Sequence, residues 1–194
     1  MELDNKEVAL RIRALREDMG LSMQEMAEAT GRTVKEYAAQ ESGNQDLSFT
    51  FLHKCARALH VDMVELLTGT SPVLKEYQLV KAGDGVSIMK QSGLEYLLKA
   101  AGLKNKTAEP FIVTYPYDAE EQDKPIHLSY HKGQEIDFIL EGKLKFAYED
   151  KIEFLEKGDF IMYDSGKGHG MIAVEGKPCV FLAIVLDPPN ARIS

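Results

Sequence analysis

Residues 21–43 read LSMQEMAEATGRTVKEYAAQESG. Ser22 stands before a run with helical spacing and has Glu25 three residues on; Thr33 and Glu36 repeat the arrangement. Each pair has the pattern of a capping box, in which hydroxyl and carboxylate satisfy backbone N–H groups left open at a helix start. Between the two pairs, Thr30-Gly31 supplies a stop, because glycine takes the left-handed conformation that turns a chain out of a helix. Two short helices joined by a tight turn are expected, with Met26, Ala27 and Tyr37 packed between them.

Outward from this core the helical spacing continues on both sides. Val8, Ile12 and Leu15 recur before it, and Leu52, Cys55, Ala56 and Leu59 after it. A last short helix is expected at 61–67, with Asp62 as its cap. Past Gly69-Thr70-Ser71-Pro72 the pattern changes to short β-forming runs at 86–89, 111–115, 136–140, 144–148, 160–163 and 180–186, separated by Gly, Pro and Asp. The arginines mark the same border: Arg11, Arg13, Arg16, Arg32 and Arg57 precede it, and only Arg192 follows. The expected organisation is a two-domain α+β chain, with a helical domain at 1–69, a linker at 70–76 and a β domain at 77–194.

The charge balance restricts what the chain grips. Net charge is −8, and acidic residues outnumber basic ones in both parts. Binding to a polyanion must therefore come from a local basic face, since phosphate neutralisation with counterion release drives such affinity. No apolar run approaches the ~20 residues of a membrane span, and the opening MELDNKEVAL lacks a secretion-signal layout. Cys55 and Cys179 form no CxxC pair and sit in apolar surroundings, so both are read as reduced core residues of a cytoplasmic protein.

The pattern L-S-x-x-E-x-A-x-x-x-G from Leu21 to Gly31, with Glu41 and Gly43 after it, resembles the phage-repressor/Cro (XRE) family of helix-turn-helix domains over roughly residues 4–68. The resemblance implies a five-helix, lambda-repressor-like bundle whose helix beginning at Thr33 enters the major groove of double-stranded DNA. Carried over by position, Met23, Thr33, Val34, Lys35 and Ala39 face DNA, together with the capping Ser22. Lys35 reaches a guanine edge, and Val34 a thymine methyl. Arg16 pairs with Glu41 beside the phosphate backbone, and Arg11, Arg13 and Arg32 are further phosphate contacts. Met23 stands where the family commonly has glutamine, and Ala38-Ala39 offer no hydrogen-bonding reach, so the readout surface is unusually apolar.

The second part contains HLSYHKGQEIDFILEGKLKFAYEDKIEFLEKGDFIMYDSGKGHGMIAV, residues 127–174. Turn signals at 141–142, 149–150 and 157–159 divide it into short strands, as in a small antiparallel barrel. Alternation in 144–148 and 152–155 suggests walls with one buried face. His131 lies four residues before Glu135, and His169 follows a glycine-rich turn. In adjacent strands these three can converge as an N,N,O set, which suits Fe, Mn, Ni or Zn with open positions for a ligand.

That stretch resembles the cupin superfamily, whose first motif is met at His131, Glu135 and Gly142 and whose second is met at Gly158, Gly166 and His169. The resemblance covers about residues 77–188 and implies an all-β cupin barrel, a double-stranded β-helix of jelly-roll type. Departures are Ser129 for the first histidine, Asp164 for a proline and Ala173 for an asparagine, so one usual metal ligand is absent. His127 is expected on the same strand face as Ser129 and His131. Two readings of the triad stay open: a divalent-metal centre, or a hydrogen-bonded cluster that meets an organic ligand directly. Ser129, Tyr96, Tyr115, Tyr130, Phe138, Phe146, Tyr148 and Met171 are pocket candidates, although aromatic residues at strand spacing more often build plain core. Asp164 is read as a turn residue.

Together the two resemblances imply a transcription factor that binds an operator as a homodimer and senses a small-molecule effector, with or without a metal, in its barrel. The rival reading is a metal-dependent cupin enzyme of dioxygenase or isomerase type with an accessory helical domain.

Overall fold

The computed structural model describes residues 4–89 and 93–186; the sequence reading at Arg192 falls outside these residues. The chain divides into two compact units, Met1–Leu79 with Ala101–Lys104, and Val80–Ala100 with Asn105–Ser194.

Among the described residues, the first unit holds five helices: α1 (Asn5–Asp18), α2 (Met23–Thr30), α3 (Val34–Glu41), α4 (Phe49–Ala58) and α5 (Met63–Thr68). Each begins on a residue whose side chain accepts a backbone N–H: Asp4, Ser22, Thr33, Ser48 and Asp62. Ser22–Glu25 and Thr33–Glu36 are both complete capping boxes. Gly31 closes α2 at φ 68°, a left-handed conformation that glycine adopts without steric cost. Met26, Ala27 and Tyr37 are buried, and with Ile12, Phe51, Leu52, Cys55, Leu66 and Leu67 they make the core of the bundle. Arg11 donates through Nη1 to the Leu67 carbonyl and so satisfies an acceptor left open at the end of α5.

Among the described residues, the second unit holds nine antiparallel strands in two sheets. One has the order β1 (Val86–Met89), β2 (Glu95–Leu98), β3 (Ala108–Tyr115), β9 (Cys179–Leu186), β4 (Gln134–Glu141), β7 (Phe160–Asp164). The other has the order β6 (Lys151–Glu156), β5 (Lys143–Tyr148), β8 (His169–Ala173). The inner faces meet through aromatic rings: Tyr163 of the first sheet lies 5.0 Å from Phe146 and 5.1 Å from His169 of the second, centroid to centroid. Alternation is clean on the inner walls, with Glu135, Asp137 and Ile139 buried on β4, and Phe111 and Val113 on β3.

Two expectations about faces fail. On β6, Ile152 and Phe154 are about half exposed, because this strand is the edge of the three-stranded sheet. His127 lies outside any strand and is exposed, so it shares no wall with His131. The segment that carries it instead crosses against β8 at Gly170, where a Cβ would strike the His127 carbonyl. Paired hydrogen bonds between Ser129 and His169 hold that crossing in place.

Candidate functional site

Three chain segments bring His131, Glu135 and His169 together. His131 sits just before β4, with its N–H donated to the Ser165 carbonyl. Glu135 is the second residue of β4 and lies opposite Tyr163 of β7 in the register. His169 opens β8, opposite Tyr148 of β5. All three are buried, and one ligand atom from each lies within 4.8 Å of the other two. His131 Nε2 is 2.9 Å from Glu135 Oε2, His169 Nε2 is 3.7 Å from the same oxygen, and the two imidazoles meet edge to face at 5.0 Å.

The Lys167 carbonyl orients His169. Its Nδ1 lies 2.9 Å from the Lys167 carbonyl, and with the proton on Nδ1 it donates there and leaves Nε2 as a lone pair facing Glu135. Burial pushes the His169 imidazole below its ordinary range, which favours the neutral, metal-binding form. Two imidazole nitrogens and one carboxylate oxygen at this spacing fit a divalent transition ion.

The other pocket candidates divide. Phe146 and Tyr148 stack at 6.3 Å on the inner face of β5, with Tyr163 against both rings. Met171 pairs with Phe146 across β5 and β8, on the same face as His169. Tyr115 ends β3 on the buried parity of Phe111 and Val113, and burial pushes its hydroxyl up to about 12. Ser129 is half-buried at the bridge to His169. Tyr96 is half-buried and meets Phe111 edge to face. Phe138 does not line the interior. It stands three residues from Glu135, on the opposite face of β4, and is 37% exposed. Tyr130 is also exposed, at 49%. Asp164 accepts from the Gly166 N–H and shapes the turn.

Sequence reasoning missed two buried polar residues beside the triad. Asp137 follows Glu135 by two positions on the same inner face, and Tyr163 donates its hydroxyl to Asp137 Oδ2 at 3.1 Å. Burial, reinforced by the nearby Glu135, pushes the Asp137 carboxyl well above the usual carboxylate range. Period-two alternation from Glu135 was the available signal.

In the helical unit, Met23 and Val34 are each 39% exposed, Lys35 is exposed, and Arg32 and Ala39 are half-buried. These residues lie on α2, the turn and α3. Ser22 and Thr33 spend their hydroxyls on the caps. The backbone N–H of each cap holds the Glu25 and Glu36 carboxyls below their ordinary range. Arg16 forms the expected pair with Glu41. It is buried, with Nε 2.6 Å and Nη2 3.1 Å from the two Glu41 oxygens and Nη1 donating to the Leu21 carbonyl. Arg11 and Arg13 carry pairs of their own with Glu7 and Glu17.

Comparison with known proteins follows this division. Residues 7–68 match the helix-turn-helix domain model and residues 112–185 the cupin domain model. Among solved structures, an HTH_3 family transcriptional regulator from Vibrio cholerae superposes with a TM-score of 0.68 at 21% identity, covering 95% of this chain and 97% of that one. That likeness shows a shared fold. Hydroxypropylphosphonic acid epoxidase from S. wedmorenis superposes with a TM-score of 0.49 at 18% identity, over 96% of this chain and 100% of that one, which is too loose to argue from. No curated protein matches the sequence. The chain joins a member of the helix-turn-helix domain family to a member of the cupin domain family.

Proposed function

We propose that the protein is a DNA-binding transcriptional regulator whose barrel senses a small molecule at a divalent-metal centre. The observation that carries this reading is the pairing of two features in one chain. One is a capped helix that presents Thr33, Val34 and Lys35 at its exposed start; the other is a buried N,N,O set with open valence. The helix start supplies donors and apolar contacts for a major groove, and Arg32 a phosphate contact.

His131 Nε2, Glu135 and His169 Nε2 would hold the ion, with iron, manganese, nickel and zinc all compatible with that donor set. Such an ion supplies Lewis-acid binding of an oxygen or nitrogen ligand. A ligand of this kind alters DNA affinity only through unequal affinity for two arrangements of the protein. Operator binding as a homodimer follows from the spacing of half-sites about one turn of DNA apart.

The direct test is fluorescence anisotropy of labelled DNA from the chain's own upstream region against unrelated DNA, at several salt concentrations. Preferential binding that weakens with salt is expected; equal or absent binding to both overturns the regulator reading. A second reading rests on the same N,N,O set, which also suits metal-dependent catalysis. It requires turnover of a small molecule by the metal-loaded chain, independent of DNA.

A further inference from the structure

Asp137 is 1% exposed, and its Oδ1 has no hydrogen-bond partner. A buried polar atom left in that state costs about 1–3 kcal/mol, so its presence calls for an explanation. The other oxygen is held by the Tyr163 hydroxyl at 3.1 Å, and the Tyr163 ring packs 5.1 Å from His169. The carboxyl is therefore fixed in orientation with one acceptor unspent. Strand alternation places Asp137 on the inner face that carries Glu135, roughly 6–7 Å further along β4. Ser165 Oγ is likewise buried without a partner, and its backbone N–H bonds to the Gly133 carbonyl on the other side of the Glu135 row.

We propose that Asp137 is the residue that recognises the barrel's ligand, a short polar molecule anchored at the triad's metal and reaching Asp137 Oδ1 with a hydroxyl or amino group. The proposal rests on the metal reading of the triad and adds the second attachment point. The carboxylate oxygen accepts, and the protonated carboxyl both donates and accepts, so a hydroxyl complements Oδ1 in either state and an amino group complements the carboxylate. The spacing between the two attachment points sets the ligand's length: a metal-binding group at one end and the donor about four heavy atoms away.

The test uses the zinc-loaded full chain and three probes of matched length, namely pentanoate, 4-hydroxybutanoate and 4-aminobutanoate, with affinities measured by titration calorimetry. The expected result is that one or both donor-bearing probes bind at least about tenfold more tightly than pentanoate. Asp137→Ala at zinc saturation brings that ratio below about twofold. Asp137→Asn, which keeps an acceptor and the shape of the group, retains most of it. Zinc uptake without discrimination among the probes overturns this proposal and leaves the metal centre standing, as does discrimination that survives Asp137→Ala. Absence of zinc uptake overturns both.

Discussion

Each unit of the protein buries a charged cluster built on a glutamate, and the two clusters are finished to different degrees. In the helical unit, Glu41 receives Arg16 at both oxygens and the Tyr37 hydroxyl at 2.9 Å, while Arg16 also meets Leu21 and Glu17. The charges cancel and the donors are used. In the barrel, Glu135 faces two imidazoles; one lies at hydrogen-bond distance and the other, at 3.7 Å, lies beyond it. The ion pair with its bonds complete serves as a structural joint, whereas the less completed barrel cluster is the one proposed above to bind a ligand. Burial alone would not have told them apart; satisfaction does.

Matched substitutions break the comparison most sharply. Glu41→Gln leaves the Arg16 guanidinium buried without its counter-charge, and the expected loss is about 3–5 kcal/mol, seen as reduced denaturant stability and faster amide exchange in α1–α3. Glu135→Gln keeps the shape and a hydrogen-bonding group next to His131, so the barrel's stability without added metal should change by no more than about 1 kcal/mol in either direction. Equal losses in the two variants would abolish the distinction between joint and site.

Smaller effects sharpen it on the helical side. Thr33→Ala removes a cap that is already spent on the helix and should cost about 1 kcal/mol of stability, read from the denaturation midpoint. Lys35→Ala touches an exposed cation with no structural task in the bundle. It should leave the midpoint alone and lower the slope of log affinity for DNA against log salt by about one. An unchanged slope would remove Lys35 from the DNA face.

Much of this architecture was legible in the chain. The caps at Ser22, Thr33 and Asp62 are local chemistry, set within three residues of sequence, and all three form as read. His131, Glu135 and His169 were visible because two strand starts and one turn fix them at characteristic spacing. What escaped depended on face and partner. Phe138 was placed in the pocket although its odd separation from Glu135 puts it outside, and Asp137, at the even separation, was overlooked. β2 and β8 give short or glycine-interrupted runs, and their pairing with β3 and β5 is what makes them strands. The Arg16–Glu41 pair was expected, but the depth of its burial depends on how α1 and α3 pack, which no spacing along the chain records.

The most direct test of the distinction between the two clusters is titration of zinc into the full chain, beside the His169→Ala and Glu135→Gln variants. The account predicts about one zinc per chain, with affinity falling about a hundredfold or more in each variant while Glu41→Asp and Lys35→Ala leave it unchanged. No uptake, or uptake indifferent to His169 and Glu135, would contradict it.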